Sequence, residues 1–420
     1  MLADGPDQQV ELPPLSSSIN NSVAFPRDVA VVGGCGHVGL PLALSFADSG
    51  LRTLIVDLDR TKVEQVRAGR MPFLEDGADE LLPKVLASGR LELSTTPEGL
   101  AECEFVVMII GTPVDSHLNP TLGALDRAIE NCLPHLRDGQ VLVLRSTVLP
   151  GVSAHLQRHL EDAGKRIGVA FCPERVAQGQ SLQEFRSLPQ IVSAFDDTTL
   201  ERVKELFGRF CPELVEMKPM EAEICKLMTN AWRYLQFATV NQFYMIASQN
   251  DLDFDRILHG CRHKYPRMAG MPGPGFAAGP CLVKDTMQLA AFSRNTFVLG
   301  HAAMMVNEGL PAHLVELAKS EVDLSEATAG ILGMAFKAES DDPRDSLSYK
   351  LRKLLRMQAR RVLCSDPYVP DESFCSLEET VAESDVLFVG TPHQRYRSLR
   401  VPSDKVVVDV WSCLGRDLRT

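Results

Sequence analysis

The strongest constraint on the fold is a glycine-rich turn that lies between a short apolar run and a helix-like segment. Residues 28–34, DVAVVGG, are an apolar run that ends in glycine, as a buried parallel β-strand does. Residues 34–39, GCGHVG, have the spacing G-x-G-x-x-G, and the residues after them, LPLALSFADSG, favour a helix. A strand, a tight turn and a helix in this order predict the first unit of a parallel α/β sheet.

The same turn predicts a dinucleotide site. Glycines at these positions free a tight turn, admit a pyrophosphate close to the backbone and let the helix pack on the strand, and the helix N–H groups then face the phosphates. Asp57 ends the second strand-like run about 20 residues on, where a carboxylate binds ribose hydroxyls and repels the 2′-phosphate of NADP. We therefore predict NAD as the cofactor, although the side chains of Cys35 and His37 are more typical of packing. The residues assigned to this site are Gly34, Gly36, His37, Val38, Gly39 and Asp57.

Composition excludes several classes of function. The net charge of −12 provides no basic field for general nucleic-acid binding. The 11 cysteines are scattered without C-x-x-C spacing, which argues against a disulfide framework or a zinc site and favours a reducing compartment, so we predict a cytoplasmic protein without a metal. No run reaches the roughly 18 apolar residues that a membrane helix needs. The first residues carry acids and no apolar core, so we expect a mobile extension over 1–27 rather than a signal peptide.

The rest of the chain predicts two α/β domains around a helical segment. Strand-like apolar runs recur at 51–58, 105–111, 140–147, 167–174 and 190–195, and again at 329–337, 360–366, 385–392 and 405–411. Between them, residues 221–259 contain no glycine or proline, and residues 221–249 have apolar residues on several faces, which predicts a long buried helix and a homodimer built on it. We predict an N-terminal Rossmann-type NAD-binding domain over 28–212, a central helical domain over 213–312, and a smaller Rossmann-like domain over 313–420.

A glycine- and proline-rich loop, GPGFAAGPCLVKDT at 273–286, delivers Cys281 to a helix-like segment. A thiolate that adds to an aldehyde allows a dehydrogenase to remove a second hydride and form a carboxylate, provided that a cation and acid/base groups are near. Lys226 and Asn230 share a helix face, and Asp285 lies one turn after the cysteine. Thr147 and Glu174 end strand-like runs, where ligands of parallel sheets gather. The loop glycines predict a flexible loop that closes over its substrate.

Seven motifs in order, spread from about Val29 to Trp411, resemble those of the nucleotide-sugar 6-dehydrogenases. This family includes the UDP-glucose, UDP-N-acetylglucosamine and UDP-N-acetylmannosamine dehydrogenases, and it oxidises the C6 hydroxymethyl of a nucleotide-sugar to a uronic acid with NAD. The motifs are GGCGHVGLPLA, GTPVD, RSTVLPG, CPERVAQG, EAEICKLMTNAWR, PRMAGMPGPGFAAGPCLVKD and GMAFKAESDDPRDS.

The resemblance implies a role for each site residue. Cys281 would be the nucleophile, Lys226 would stabilise the oxyanion, Asp285 with Thr147 would hold a proton-shuttling water, and Glu174 would assist thioester hydrolysis. Arg267 would reach the sugar from a neighbouring subunit. Residues implied to bind the cofactor are Thr112, Pro113, Thr147 and Arg344, and residues implied to bind the substrate are Glu174, Arg175, Lys226, Asn230, Arg267, Gly275, Phe276 and Lys337.

Three departures from the family pattern leave the sugar and the nucleotide open. Gln178 replaces a glutamate of the UDP-glucose members, while Arg175 is shared with the N-acetylhexosamine members. The loop before Cys281 is one residue longer, and VDVWSCLG at 408–415 does not follow the usual sequence, so contacts to the base cannot be carried over. UDP is the default nucleotide. The alternatives are a two-electron NAD-dependent hydroxyacid dehydrogenase, which the cysteine loop disfavours, and a catalytically silent NAD-binding assembly protein. Several pathways of polysaccharide biosynthesis use such enzymes, and the sequence motifs are compatible with each of them.

Overall fold

The computed structural model describes residues 25–112 and 123–414. These residues form two compact units that divide between Lys226 and Leu227. The first unit holds 25–112 and 123–226, and the second holds 227–414. Within both described ranges, no helix is long and apolar enough to span a lipid bilayer.

The first unit is built on a parallel sheet of six strands in the order β3-β2-β1-β4-β5-β6. Its strands are mainly apolar runs that are buried on both faces, as expected where helices cover a parallel sheet, whereas the edge strand, Leu91–Ser94, is buried only at Leu91. The six strands are β1 (Arg27–Val32), β2 (Thr53–Val56), β3 (Leu91–Ser94), β4 (Cys103–Met108), β5 (Val141–Leu144) and β6 (Gly168–Phe171).

The predicted strand at 190–195 forms outside this sheet. Strand β7 (Gln190–Val192) pairs in parallel with β8 (Leu214–Glu216) as a separate two-stranded sheet. An isolated bridge from Ala170 to Ala194 links the segment to β6. The helices of this unit are α1 (Gly39–Asp48), α2 (Arg60–Arg67), α3 (Ala78–Ala87), α4 (Gly123–Cys132), α5 (Val152–Asp162), α6 (Ser181–Phe185) and α7 (Asp197–Phe207).

The long helix predicted over 221–249 forms, and the rest of the run without glycine or proline, up to His259, belongs to a second helix. Helix α8 (Pro219–Ser248) crosses the division between the units and ends before a turn in which Asp251 has φ +52°. The next helix, α9 (Phe254–Arg262), is capped by Asp253, whose carboxylate accepts the N–H of Arg256. An acidic N-cap therefore ends the run of helix formers and starts a new helix.

The second unit continues with helices and a smaller parallel sheet. Its remaining helices are α10 (Leu282–Phe292), α11 (Val298–Glu321), α12 (Leu347–Arg356) and α13 (Leu377–Glu383). Its strands are β9 (Thr328–Leu332), β10 (Arg361–Ser365), β11 (Val386–Val389) and β12 (Val406–Val408), in the order β10-β9-β11-β12. Short 3₁₀ turns occur at Glu98–Glu102, Leu133–His135, Pro266–Met268 and Gln394–Ser398.

A buried carboxylate holds the start of α6. Glu75 accepts the N–H groups of Gly179 and Leu182 at 2.9 and 3.1 Å and the hydroxyl of Ser181 at 3.2 Å, and its burial raises the pKa of its carboxyl. Removing the acceptor leaves these donors unsatisfied, so we expect Glu75→Ala to lower the free energy of unfolding by about 1–3 kcal/mol in urea titrations. Glu213→Ala, at an exposed position of the same unit, should change it by no more than about 0.5 kcal/mol.

Candidate active site

The glycine turn after β1 has the geometry that a dinucleotide site needs. A Cβ built on Gly34 would lie 2.7 Å from the Val31 carbonyl oxygen, and one on Gly39 would lie 2.5 Å from that of Gly33, so both glycines are required by close packing. Within the described part of the chain, and apart from its two neighbours in sequence, a Cβ on Gly36 would meet only the Gly33 oxygen, at 3.8 Å. The space beside Gly36 is therefore open at the start of α1, where the exposed N–H groups favour phosphate.

Asp57 is fixed beside this turn. Its Oδ2 accepts the N–H of Cys35 at 2.8 Å and its Oδ1 accepts that of Asp59 at 3.0 Å, so one oxygen of this carboxylate at the end of β2 faces the glycine turn. The two turn side chains pack: burial raises the pKa of the Cys35 thiol to about 12, and the His37 ring stacks on Phe73 at 4.2 Å between centroids. An open glycine and an adjacent carboxylate fit the phosphates and ribose of NAD.

The carboxyl ends of β4 and β5 are joined by short hydrogen bonds. The hydroxyl of Thr112 donates to the carbonyl of Thr147 at 2.5 Å, and the N–H of Ile110 donates to the Ser146 hydroxyl at 2.8 Å. Thr112 and the segment RSTVLPG, both implied to contact the cofactor, are thus adjacent at this edge of the sheet. Pro113, also assigned to the cofactor, lies outside the described residues.

Glu174 is held by an arginine that sequence reasoning missed. The side chain of Arg145 is fully buried, its Nε donates to Glu174 Oε2 at 3.0 Å, and its Nη2 donates to the same oxygen. Glu174 Oε1 accepts the N–H groups of Arg175 and Val176 at 2.6 and 2.8 Å. Each carboxylate oxygen therefore accepts two donors, which fills its acceptor positions. The signal in the sequence was a charged residue directly after the apolar run QVLVL.

We expect Arg145→Met to destabilise the first unit strongly. Breaking a buried ion pair leaves the Glu174 charge without its guanidinium, which costs about 3–5 kcal/mol. Thermal and urea unfolding of the variant would measure this loss. The double variant R145M/E174Q should recover part of it because the uncompensated charge is gone. If the free energy of unfolding of R145M lies within about 1 kcal/mol of that of the parent, the ion pair does not stabilise this segment.

Asp285 is a fully enclosed charged residue of the candidate site. Cys281 occupies the N-cap of α10 and is exposed, and its carbonyl accepts the N–H of Asp285 at 2.8 Å, which gives the predicted one-turn offset. The Asp285 side chain is 0% exposed, and its Oδ2 accepts the Asn230 amide at 2.5 Å. Its Oδ1 lies 3.1 Å from the ammonium of Lys284, a partner that sequence reasoning did not assign. A carboxylate held between an amide and an ammonium one turn after a thiol suits proton transfer.

The other residues assigned to the sugar or to the cofactor lie in different elements of the chain. Lys226 lies in α8, four residues before Asn230, and is only 8% exposed. The guanidinium of Arg267 is exposed and lies over the Tyr265 ring, 4.6 Å from its centroid. Lys337 is half-buried in the segment after β9. Arg344 donates to both oxygens of Asp342, and this bond, with a smaller effect of the nearby Cys281, raises the pKa of Arg344.

The loop before Cys281 is hydrogen-bonded at Gly275, and the closure that its glycines predict stays a prediction. The buried amide of Asn241 donates to the Gly275 carbonyl at 2.9 Å and accepts the Gly275 N–H at 2.8 Å. The side chain of Phe276 packs in the core that includes Leu310 and Ile331. The substrate contact implied for Phe276 would therefore have to come from its backbone.

Three domain profiles of one family match consecutive parts of the chain. They are the NAD binding domain of the UDP-glucose/GDP-mannose dehydrogenase family over residues 27–211, its central domain over 220–309 and its UDP binding domain over 330–416. The chain belongs to the UDP-glucose/GDP-mannose dehydrogenase family. The predictions of the family, of the α/β architecture, of NAD and of an NAD-dependent nucleotide-sugar dehydrogenase are thereby confirmed.

Individual members of the UDP-glucose/GDP-mannose dehydrogenase family match nearly the whole chain. UDP-N-acetyl-D-mannosamine dehydrogenase of Pyrococcus horikoshii is 28% identical over 403 residues, which is 93% of each protein. A solved structure of the UDP-D-ManNAc dehydrogenase of the same organism has a TM-score of 0.83 at 28% identity and covers 89% of this chain and 91% of that one. A UDP-glucose dehydrogenase structure from Pyrobaculum islandicum has a TM-score of 0.84 at 26% identity, covering 93% and 95%. Similarity in fold therefore does not distinguish between the two sugars.

Proposed function

We propose that this dehydrogenase oxidises the C6 hydroxymethyl of a UDP-sugar to a carboxylate through covalent adducts of Cys281. The observation that carries the proposal is the arrangement at α10, where an exposed thiol stands at the N-cap and a buried carboxylate follows one turn later. Asn230 and Lys284 hold that carboxylate. A helix N-terminus favours a thiolate, which is the nucleophilic form of cysteine.

In the first oxidation the C6 hydroxyl becomes an aldehyde. Bound NAD supplies a hydride acceptor in both oxidations. The hydroxyl proton leaves toward Asp285, and the ammonium of Lys226 stabilises the alkoxide that develops on the oxygen. The role of Lys226 in this step rests on the family resemblance. So does that of Thr147, which with Asp285 would hold the water that carries the proton away.

In the second oxidation Cys281 keeps the aldehyde carbon on the enzyme. The thiolate adds to the carbonyl carbon and forms a thiohemiacetal, which loses a hydride to become a thioester. Water then cleaves the carbon–sulfur bond, which releases the carboxylate and restores the thiol. Each sugar consumes one water and two NAD and yields two NADH and three protons. Because its acceptor positions are filled, we propose that Glu174 assists hydrolysis by orienting residues 173–176 rather than as a free base.

We propose a UDP-N-acetylhexosamine as the substrate class. Gln178 replaces a glutamate of the UDP-glucose members, and Arg175 is shared with the N-acetylhexosamine members. The named relative from P. horikoshii, a UDP-N-acetyl-D-mannosamine dehydrogenase, supports the same choice.

A panel of nucleotide-sugars with NAD tests the reaction and the substrate together. UDP-N-acetylmannosamine, UDP-N-acetylglucosamine and UDP-glucose are each incubated with the enzyme, NADH is counted per sugar, and the product mass is determined. We expect two NADH and the uronic acid from an N-acetylhexosamine. One NADH per sugar would contradict the thioester route, and NAD binding without NADH from any sugar would indicate a silent assembly protein.

We also propose a homodimer built on α8. Large apolar side chains remain exposed along this helix, and exposed apolar patches mark interfaces. Met228, Trp232, Phe243 and Ile246 are 55%, 62%, 44% and 51% exposed. Sedimentation equilibrium should give twice the mass of one chain, and the double variant F243E/I246E should sediment as a monomer. A parent protein that is monomeric at micromolar concentration would contradict the proposal.

A further inference from the structure

Two aromatic rings pack on the glycines of the loop before Cys281. A Cβ built on Gly275, whose φ is +150°, would lie 2.2 Å from Cζ3 of Trp411. A Cβ on Gly279, whose φ is +96°, would lie 2.5 Å from Cδ2 of Phe336. Both glycines are therefore needed for backbone conformation and for direct contact with a ring. The loop is held by these aromatic side chains as well as by the hydrogen bonds of Asn241.

Both rings belong to residues that follow strands of the four-stranded sheet. Phe336 follows β9 and Trp411 follows β12, so each stands past the carboxyl end of a strand. The indole N–H of Trp411 donates to the Gly390 carbonyl at 3.1 Å, just after β11, which fixes the ring on the sheet. The N–H of Gly279 donates to the Asp345 carbonyl at 3.2 Å. The loop is thus fastened to the edge of the sheet where ligands of parallel sheets bind.

Trp411 belongs to the part of the chain that departs from the family pattern, VDVWSCLG at 408–415. Its ring touches Gly275 at the first anchored point of the loop, six residues before the thiol. The contact therefore joins a segment that departs from the family pattern to the loop that carries the nucleophile.

We propose that Trp411 is a positioning residue that keeps Cys281 at the N-cap of α10 in the alignment needed for the second oxidation. The proposal rests on the proposed function, because only the second oxidation uses the thiol. Loss of the ring leaves Gly275 with only its two hydrogen bonds to Asn241, so the loop can shift around this point and the thiol moves off the helix N-terminus that favours its thiolate. The first hydride transfer does not need the carbon–sulfur bond and is affected less.

The first test measures the thiol without turnover. Iodoacetamide labelling of Cys281 is followed by peptide mass spectrometry, which separates it from the other cysteines. We expect W411A to label at least threefold more slowly than the parent, and W411F, which keeps a ring over Gly275, to stay within twofold. The control L387A removes a fully buried side chain from the same sheet and the same core cluster, so its melting temperature should fall while Cys281 labelling is unchanged.

The second test measures how the product is partitioned. With the sugar that gives two NADH in the parent, W411A should give closer to one, and the aldehyde should be trapped by semicarbazide, while W411F and L387A should stay near two. Unchanged labelling and unchanged stoichiometry in W411A would overturn the proposal and leave Trp411 a core residue. A parent that gives only one NADH would count against the proposed function instead, and the labelling result would then decide on Trp411 alone.

Discussion

Cys281→Ser should stop the reaction before the acid and lower uronic acid formation by at least about 10³-fold, since a serine hydroxyl lacks both the acidity and the nucleophilicity of the thiol. The first oxidation does not require the thiol, so a single turnover should still produce up to one NADH per sugar. Rapid-quench sampling with product mass would show aldehyde in place of acid.

Folding and cofactor binding provide the controls for this variant. The thiol is exposed, so its replacement should leave the melting temperature and the NAD affinity close to those of the parent. Cys261→Ser, at a partly exposed cysteine in α9, should keep full turnover. Acid production by C281S at the parental rate is the outcome that would rule out the thioester route.

Asp285→Asn is expected to lower kcat by about 10²–10⁴-fold, the range associated with a lost general acid or base. The amide has nearly the shape of the carboxylate and can still accept from Asn230, but it cannot take up a proton. It also leaves the Lys284 ammonium without the charge that lies 3.1 Å away. Steady-state kinetics across pH 6–9 with the preferred sugar would measure the loss.

The matched control is Asp371→Asn, an exposed aspartate in a loop of the same unit. It makes the same chemical change and should leave kcat unaltered. Solvent isotope effects add a readout that folding alone does not alter, because proton transfer should become rate-limiting in D285N. If D285N keeps kcat within threefold of the parent, Asp285 serves only as a structural partner of Lys284.

Local patterns in the sequence predicted the parts of the site that depend on neighbouring residues. The glycine turn and Asp57 could be assigned because a strand, a turn and a second strand fix their geometry within a short stretch of chain. The offset from Cys281 to Asp285 followed from the helix repeat. In such cases spacing along the chain determines position in space.

Contacts between distant residues could not be predicted in this way. Asn230 reaches Asp285 across 55 residues, and Arg145 reaches Glu174 across 29, so tertiary packing alone brings these side chains together. The same reason explains the anchored loop. Considered alone, its glycines indicate a flexible backbone. Asn241 and Trp411, which are distant in sequence, contact Gly275 and hold this part of the backbone.

The open space beside Gly36 offers a way to separate the two ligands of this enzyme. Among the described residues, no atom beyond the two chain neighbours of Gly36 would come closer than 3.8 Å to a methyl group there, so Gly36→Ala should fold with the parental melting temperature. The methyl would instead collide with the pyrophosphate of the dinucleotide, and calorimetry should show NAD affinity weakened at least tenfold. Without bound NAD such a variant does not oxidise the sugar. Its binding affinity for each candidate sugar could therefore be measured by titration without turnover.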